Sequence, residues 1–336
     1  MRFRLIAAVA ATVVALGAAG AYAMFLKDMQ DIRARMAAEA EGAETRHGPV
    51  RFVRGGAGPG TGTGTPVLSI HGAGGGYDQG RLLAEAFLPD GVAWIAPSRF
   101  GYPGSPLPEN PSTAAQADAF ADLLDVLGVE RVAILAMSGG VPPALQFATR
   151  HPERTAALIL LSLAPYAPLT AEEQDLPVPL WLYNALFGSD FPYWAMLRVA
   201  PGSLSPLFDA RPELRADMTA MEQDFLDAMI RLFLPVTKRF DGLRNEGAAI
   251  DPAATDPRAG ITAPTLIVHA RDDRITPFST ARFTADGVDG AELTAFDTGG
   301  HLLLGHHAEV RDRIAGFLSR HGIGLQASIN PDSTSR

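Results

Sequence analysis

The stretch Arg131-Val-Ala-Ile-Leu-Ala-Met-Ser-Gly-Gly-Val-Pro-Pro-Ala-Leu-Gln-Phe-Ala148 constrains the fold of this chain more than any other. An apolar run rich in β-branched residues stops abruptly at Ser138, which sits among small residues. A segment with Leu145 and Ala148 spaced for one helical face follows. The pattern predicts a buried strand, a tight turn and a helix. Ala136 and Gly140, two residues to either side of Ser138, stand where backbones must approach closely. Pro142 and Pro143 suit a first helical turn, where no backbone donor is used. Such an elbow holds one hydroxyl in a strained conformation at the carboxyl end of a sheet. The bland alternative is a serine in an ordinary strand–helix turn.

Further loops of the same kind flank strand signals elsewhere. Pro66–Ile70 reads as a strand running into His71-Gly-Ala-Gly-Gly-Gly76. Pro264–Ala270 reads as a buried strand followed by Arg271-Asp-Asp-Arg-Ile-Thr-Pro277. Ala291–Asp297 reads as another, leading into Thr298-Gly-Gly-His301. Serine, then acid, then histidine, with the last two in loops directly after strands, is a triad order used for acyl transfer.

On these residues the chain resembles the α/β-hydrolase superfamily over roughly residues 49–164 and 259–322. The resemblance implies an α/β fold with a mostly parallel sheet flanked by helices and a helical cap insertion. It implies Ser138 as nucleophile, His301 as general base and then acid, and Asp273 as the residue orienting His301. Asp273 is chosen over Asp272 because it directly precedes Arg274-Ile-Thr-Pro277, as the acid does in relatives; Asp272 is expected to face solvent, Arg271 or Arg274. The oxyanion donors would be the backbone N–H groups of Gly139 and Ala73. Arg99, Gly101, Gly104 and Ser105 match a structural loop that relatives place near the pocket, with Ser98 where an Asp is frequent. The implied reaction is cleavage of a carboxylic ester, lactone or thioester through an acyl-enzyme, without cofactor or metal. A hydrolase of C–C, amide or peroxyacid bonds and a non-catalytic binding protein on the same fold are the alternatives.

Composition narrows the field. A net charge of −9 with no basic run argues against nucleic-acid binding. The absence of cysteine excludes disulfides, thiolate metal sites and a cysteine nucleophile. The expected partner is a small-molecule substrate with an apolar acyl or alcohol group. Gly55–Thr65 is glycine-dense but lacks the Gly-Lys-Ser/Thr ending of a phosphate loop, and reads as a hairpin connection.

Leu5–Leu26 carries no charge and would span about 33 Å as a helix, close to the thickness of a bilayer core. We read residues 1–26 as a membrane anchor, with 27–48 as a polar stalk and the enzyme outside the cytoplasm. The alternative is a signal peptide cleaved near Ala23, within Ala21-Tyr-Ala23, giving a secreted protein.

Between these ends, strand and helix signals alternate. Asp78 is expected to cap a helix bearing Leu82, Leu83, Ala86 and Phe87, and Ser112 or Thr113 one bearing Phe120, Leu123, Leu124 and Leu127 that Gly128 ends. From 165 to 258 the alternation fails. Tyr166, Trp181, Tyr183, Phe187, Tyr193, Trp194, Phe208, Phe225, Phe233 and Phe240 punctuate this cap segment. Most of them are expected to form the cap's core and its seat. His71 reads as a structural residue of its loop, His269 as a satisfied core histidine, and His306 and His307 as surface or helix-start residues. Residues 323–336 read as a disordered tail.

Overall fold

A computed structural model describes residues 2–56, 64–164, 188–246 and 258–323. Strands β1 (Glu41–Thr45), β2 (Gly48–Gly55), β3 (Val67–Ile70), β4 (Trp94–Pro97), β5 (Val132–Met137), β6 (Thr155–Leu161), β7 (Thr265–Ala270) and β8 (Glu292–Phe296) form one sheet in the order β1-β2-β4-β3-β5-β6-β7-β8. The β1–β2 and β2–β4 pairs are antiparallel, and every pairing from β4 to β8 is parallel. Strands β3, β5, β6 and β7 are buried at every position. Helices cover both of their faces, which is why they read as unbroken apolar runs rather than alternating ones.

Helices α2 (Tyr77–Phe87) and α10 (His307–Arg320) cover one face, and α3 (Thr113–Val126), α4 (Val141–Arg150) and α9 (Phe278–Gly287) the other. Along β5, Ala133, Leu135 and Met137 join the first layer while Ile134 and Ala136 join the second, as the two-residue period of a strand requires. Ser112 caps α3, accepting from the Ala115 N–H at 3.2 Å. Gly128, with φ 66°, turns the chain out after it. The N-cap of α2 is Gly76, not Asp78, whose carboxylate is used otherwise. The expected hairpin connection over Gly55–Thr65 is not borne out, because β2 pairs with β1 and β4 rather than β3; residues 57–63 lie outside the described residues.

The cap contributes α5 (Asp190–Val199), α6 (Pro212–Ala216), α7 (Ala220–Leu232) and α8 (Phe240–Asn245). Tyr193, Trp194, Phe208, Phe225 and Phe233 are buried in the same apolar cluster as Leu83 and Phe87 of α2 and Ile314 and Phe317 of α10, while Phe240 packs on it partly buried. The cap thus shares its core with one face of the sheet domain. Tyr166, Trp181, Tyr183 and Phe187 lie outside the described residues, as does the expected tail beyond Ile323.

The N-terminal segment departs from expectation. Helix α1 (Arg2–Glu39) runs unbroken past the apolar stretch, and residues 41–45 then form an edge strand of the sheet. Residues 27–48 are therefore packed structure rather than a free stalk. The first half of α1 is long and apolar enough to cross a membrane, with a mean hydropathy of 2.0 and none of that window buried. Its second half docks. Met29 is buried, and the Phe25 ring meets Phe191 at 5.2 Å and Trp194 at 5.5 Å. Asp28 accepts from Trp194 Nε1 at 2.7 Å and from Arg198 at 2.5 Å.

One buried cation ties the cap to the sheet domain. Arg239 has no exposed surface, and it donates from Nη2 to Asp78 at 2.7 Å, from Nε to the Phe233 carbonyl at 3.1 Å and from Nη1 to the Gly75 carbonyl. Removing one partner of a buried pair leaves the other charge uncompensated. Asp78→Asn should therefore lower the unfolding free energy by about 3–5 kcal/mol, read as a reduced urea midpoint at unchanged slope.

Candidate active site

The elbow forms because β3 and β5 end side by side. Ser138 follows β5 with φ 53°, a left-handed value that costs any non-glycine residue energy. A Cβ on Gly140 would stand 2.6 Å from the Ile70 carbonyl oxygen and 2.7 Å from that of His71, so only glycine lets α4 start there. A Cβ on Gly72 would meet the Ser138 Cβ at 3.1 Å. A side chain at position 72, in the loop after β3, would therefore crowd the serine.

Hydrogen bonds hold that loop open. The Gly72 N–H donates to Gln79 Oε1 at 2.9 Å and the Gly74 N–H to the Tyr102 hydroxyl at 3.1 Å. No turn or side-chain acceptor among the described residues takes the N–H of Ala73 or of Gly139. His71 is fully buried. Its Nε2 accepts from the Arg99 N–H at 2.9 Å, so Nδ1 carries the proton and donates to the Gly72 carbonyl at 2.8 Å. Burial, reinforced by the nearby Arg99 charge, holds its pKa well below the ordinary histidine value. The ring works as a neutral strut.

The Arg99–Ser105 loop supports this side of the site. Ser98 accepts from the Tyr77 N–H at 3.0 Å and Ser105 from the Arg51 N–H at 3.1 Å. Gly101 and Gly104 both turn with φ 77°. Arg99 pairs with Glu246 at the end of α8 and lies 5.0 Å over the Tyr102 ring.

The acid and the histidine meet across the ends of β7 and β8. His301 Nδ1 lies 2.9 Å from Asp273 Oδ2. The carboxylate also accepts from the Ile275 and Thr276 N–H groups at 2.8 and 2.9 Å and from the Thr276 hydroxyl at 2.7 Å. Burial alone would raise the Asp273 pKa; the His301 charge, hydrogen bonds from His269 and His301 and the His269 charge outweigh it and hold the carboxyl below the usual range. For His301, burial pulls downward, but the Asp273 charge and hydrogen bond win, with Asp209 adding in the same sense, and the pKa is raised. With Nδ1–H donated to Asp273, Nε2 is left as a lone-pair acceptor. Neither Nε2 nor the Ser138 hydroxyl has a hydrogen-bond partner among the described residues. Contacts of this kind tighten when substrate binds.

Other expectations are sorted by the same coordinates. His269 is a core histidine, accepting the Leu163 N–H at 3.1 Å and donating to the Thr276 carbonyl at 3.0 Å. His306 stands at the N-cap of α10, stacked on Phe296 at 4.2 Å. His307 is less superficial than expected, packed against Phe87 and Phe225 with Nε2 on the Leu302 carbonyl. Asp272 does not face solvent, Arg271 or Arg274. It pairs with Arg211 of the cap and accepts the Gly300 N–H at 2.9 Å.

The profile of the alpha/beta hydrolase fold family matches residues 65–308. The chain belongs to the α/β-hydrolase family. An uncharacterised hydrolase of Bacillus subtilis, YcgS, is 30% identical over 278 residues, covering 77% of this chain and 93% of that one. A 2-hydroxymuconate semialdehyde hydrolase of Pseudomonas sp. CF600 is 28% identical over 77% of this chain and 88% of its own. Among solved structures, an alpha/beta hydrolase fold protein of Nakamurella multipartita superposes with a TM-score of 0.67 at 27% identity, covering 84% of this chain and all of that one.

Within this α/β hydrolase, sequence reasoning missed Gln79, Tyr102, Asp209, Arg211 and Thr276. Tyr102, Asp209 and Arg211 matter through partners distant in sequence, whereas Gln79 and Thr276 act on Gly72 and Asp273 nearby, in contacts that no residue pattern marks. Histidine titration followed by NMR should place the His301 pKa above about 6.5, the ordinary value, and keep His71 neutral at lower pH. Asp273→Asn removes the charge that raises His301, and should return its titration to lower pH.

Proposed function

We propose that this α/β hydrolase cleaves a carboxylic ester, with lactones and thioesters in the same class, through an acyl-enzyme on Ser138. The observation that carries the reading is the 2.9 Å bond from His301 Nδ1 to Asp273, which leaves Nε2 as a base in the loop after β8, at the same carboxyl edge of the sheet as the elbow after β5. Ser138 Oγ attacks the acyl carbon as His301 Nε2 takes its proton. The developing oxyanion accepts from the Gly139 and Ala73 N–H groups, each donor of this kind being worth about 3 kcal/mol. His301 returns the proton to the leaving alcohol. It then deprotonates the water that releases the acid. Asp273 orients the ring and stabilises the imidazolium without taking its proton. The reading needs no cofactor or metal.

C–C bond hydrolysis is the second reading, supported by the likeness to the 2-hydroxymuconate semialdehyde hydrolase. It would use the same residues: the C–C bond beside a carbonyl breaks, the carbonyl carbon takes the hydroxyl of water to become an acid, and the departing carbon takes the proton. A fluorophosphonate probe should label the full chain at Ser138; no labelling would favour a non-catalytic binding role. p-Nitrophenyl esters of graded chain length, assayed beside 2-hydroxymuconate semialdehyde, separate the two chemistries. Ser138→Ala should abolish turnover, by about 10⁶-fold on the precedent of other serine triads. Because the hydroxyl has no partner among the described residues, Tm should stay unchanged.

The apolar half of α1 supports membrane anchoring, and the docking of its second half on α5 carries that anchor to the cap. Removing residues 1–21 should release active enzyme from membranes. Extending the deletion through Asp28 removes the partner of Trp194 and Arg198 and should lower Tm as well. Recovery of a mature chain starting at Met24 would instead establish signal-peptide cleavage.

A further inference from the structure

We propose that Asp209 and Arg211, both from the cap, are positioning residues that aim His301 by holding the backbone of the loop that carries it. The proposal rests on the reading of His301 as the general base. The loop has a strained backbone. Gly299, Gly300 and Leu303 have φ of 129°, 57° and 56°, and at Leu303 that conformation is strained for a branched side chain. Its own turn bonds are Leu303 N–H to the Gly300 carbonyl at 3.3 Å, Leu304 N–H to the Gly299 carbonyl at 2.8 Å and His306 N–H to the Leu303 carbonyl at 3.1 Å.

The cap supplies further bonds. One oxygen of Asp209, Oδ2, accepts the His301 N–H at 3.2 Å and the Arg274 N–H at 3.1 Å. A single carboxylate thereby joins the histidine loop to the loop bearing Asp273. Arg211 makes the second link, because it pairs with Asp272, and Asp272 accepts the Gly300 N–H. Arg211 Nε lies 3.4 Å from Asp209 Oδ1, closing the two links into one clip. The fit is tight. A Cβ on Gly300 would stand 2.8 Å from Asp209 Oδ2 and 2.8 Å from Leu214 Cδ1. Asp209 itself has φ 55°, so the carboxylate is presented from a strained backbone.

A merely structural clip would not need this chemistry. Asp209 is 4% exposed, and burial outweighs its donors and Arg211, so its pKa is raised above the usual carboxylate value. A carboxylate there is held at a cost that a neutral acceptor would avoid. Its charge also faces His301 and favours the imidazolium. Among the described residues, the other charged group on that ring is Asp273; behind it His269 faces Asp273 at 3.4 Å, and Arg211 is linked to the loop through Asp209 and Asp272.

The test uses the full chain with a soluble ester. Asp209→Asn keeps one oxygen for two N–H donors and loses the charge. It should lower kcat by about 10- to 100-fold, the size of effect that small misplacement of a catalytic group causes, with KM within about two-fold. The acidic limb of kcat/KM should move to lower pH, because the imidazolium loses a stabilising charge. Arg211→Gln leaves the Asp209 bonds in place, frees Asp272 and removes a cation. It should also lower kcat but move the limb to higher pH. If Asp209→Asn fails to fold, Arg211→Gln carries the test alone. Opposite limb shifts with a common loss of kcat support the clip; unchanged limbs, or kcat within about two-fold of wild type in the folded variants, overturn it. Failure of the underlying reading shows separately, as a wild-type enzyme that neither hydrolyses the ester nor takes the fluorophosphonate label.

Discussion

Everything at the carboxyl edge of the sheet depends on how closely the ends of β3 and β5 approach. The carbonyl oxygens of Ile70 and His71 leave no room for a side chain at position 140, and a side chain at position 72 would crowd the Ser138 Cβ. With both chains that close, the backbone at Ser138 is driven to φ 53°, and α4 must begin at once. The strain is sustained because β5 is buried between β3 and β6, with parallel ladders on either side. The same approach leaves the Ala73 and Gly139 N–H groups without acceptors among the described residues. One crowding constraint thus places a hydroxyl with no internal partner and two N–H groups without acceptors among the described residues at the same strand ends.

The cap is joined to the sheet domain through buried charge as well as apolar packing. Arg239 fixes it to the start of α2 and to the Gly75 carbonyl, on the side of the loop after β3. Arg211 and Asp209 reach the loops after β7 and β8. Apolar contacts set the distance between the two layers but tolerate sliding; a bidentate guanidinium fixes direction too. The cap segments that reach the loops therefore have a defined register against them. That register is a requirement of any site whose donors and base must agree to within a fraction of an ångström.

How much of this is legible in the sequence follows from the range of the forces involved. The elbow, the parallel strands and the cap of α3 are local: a β-branched run, a Ser-Gly-Gly and a Ser three residues before an N–H are read within one window. Strand ends shift by one to three residues, since pairing partners rather than propensity end a strand. Asp273 is separable from Asp272 by its neighbours Arg274–Pro277, and the structure places it on His301. What Asp272 does is not local. Arg211 lies sixty-one residues upstream, and nothing in Ala210-Arg211-Pro212 distinguishes it from a solvated surface arginine. Asp78 misleads for the same reason: a carboxylate in a first helical turn looks like a cap until a buried arginine from 161 residues away claims it.

Helix α1 shows the boundary between these two regimes within one element. From Leu5 to about Tyr22 it carries no charged residue, and none of its apolar window is covered by protein, which is compatible with a membrane span or a signal sequence. From Phe25 onward the composition becomes mixed, and only one side is used, through Phe25, Asp28, Met29 and Met36. Charge patterning alone reads that second part as a stalk, because Lys27, Asp28, Asp31, Arg33 and Arg35 look solvated. The error lies in treating charge as evidence of freedom. Asp28 is held by Trp194 and Arg198, and Arg33 reaches Asp190 at 3.4 Å, so these charges bind α1 to α5. On the anchor reading, the span does not end in a flexible tether. It continues as one helix onto the cap, and the orientation of the cap relative to the bilayer is then set by helix geometry rather than by linker length.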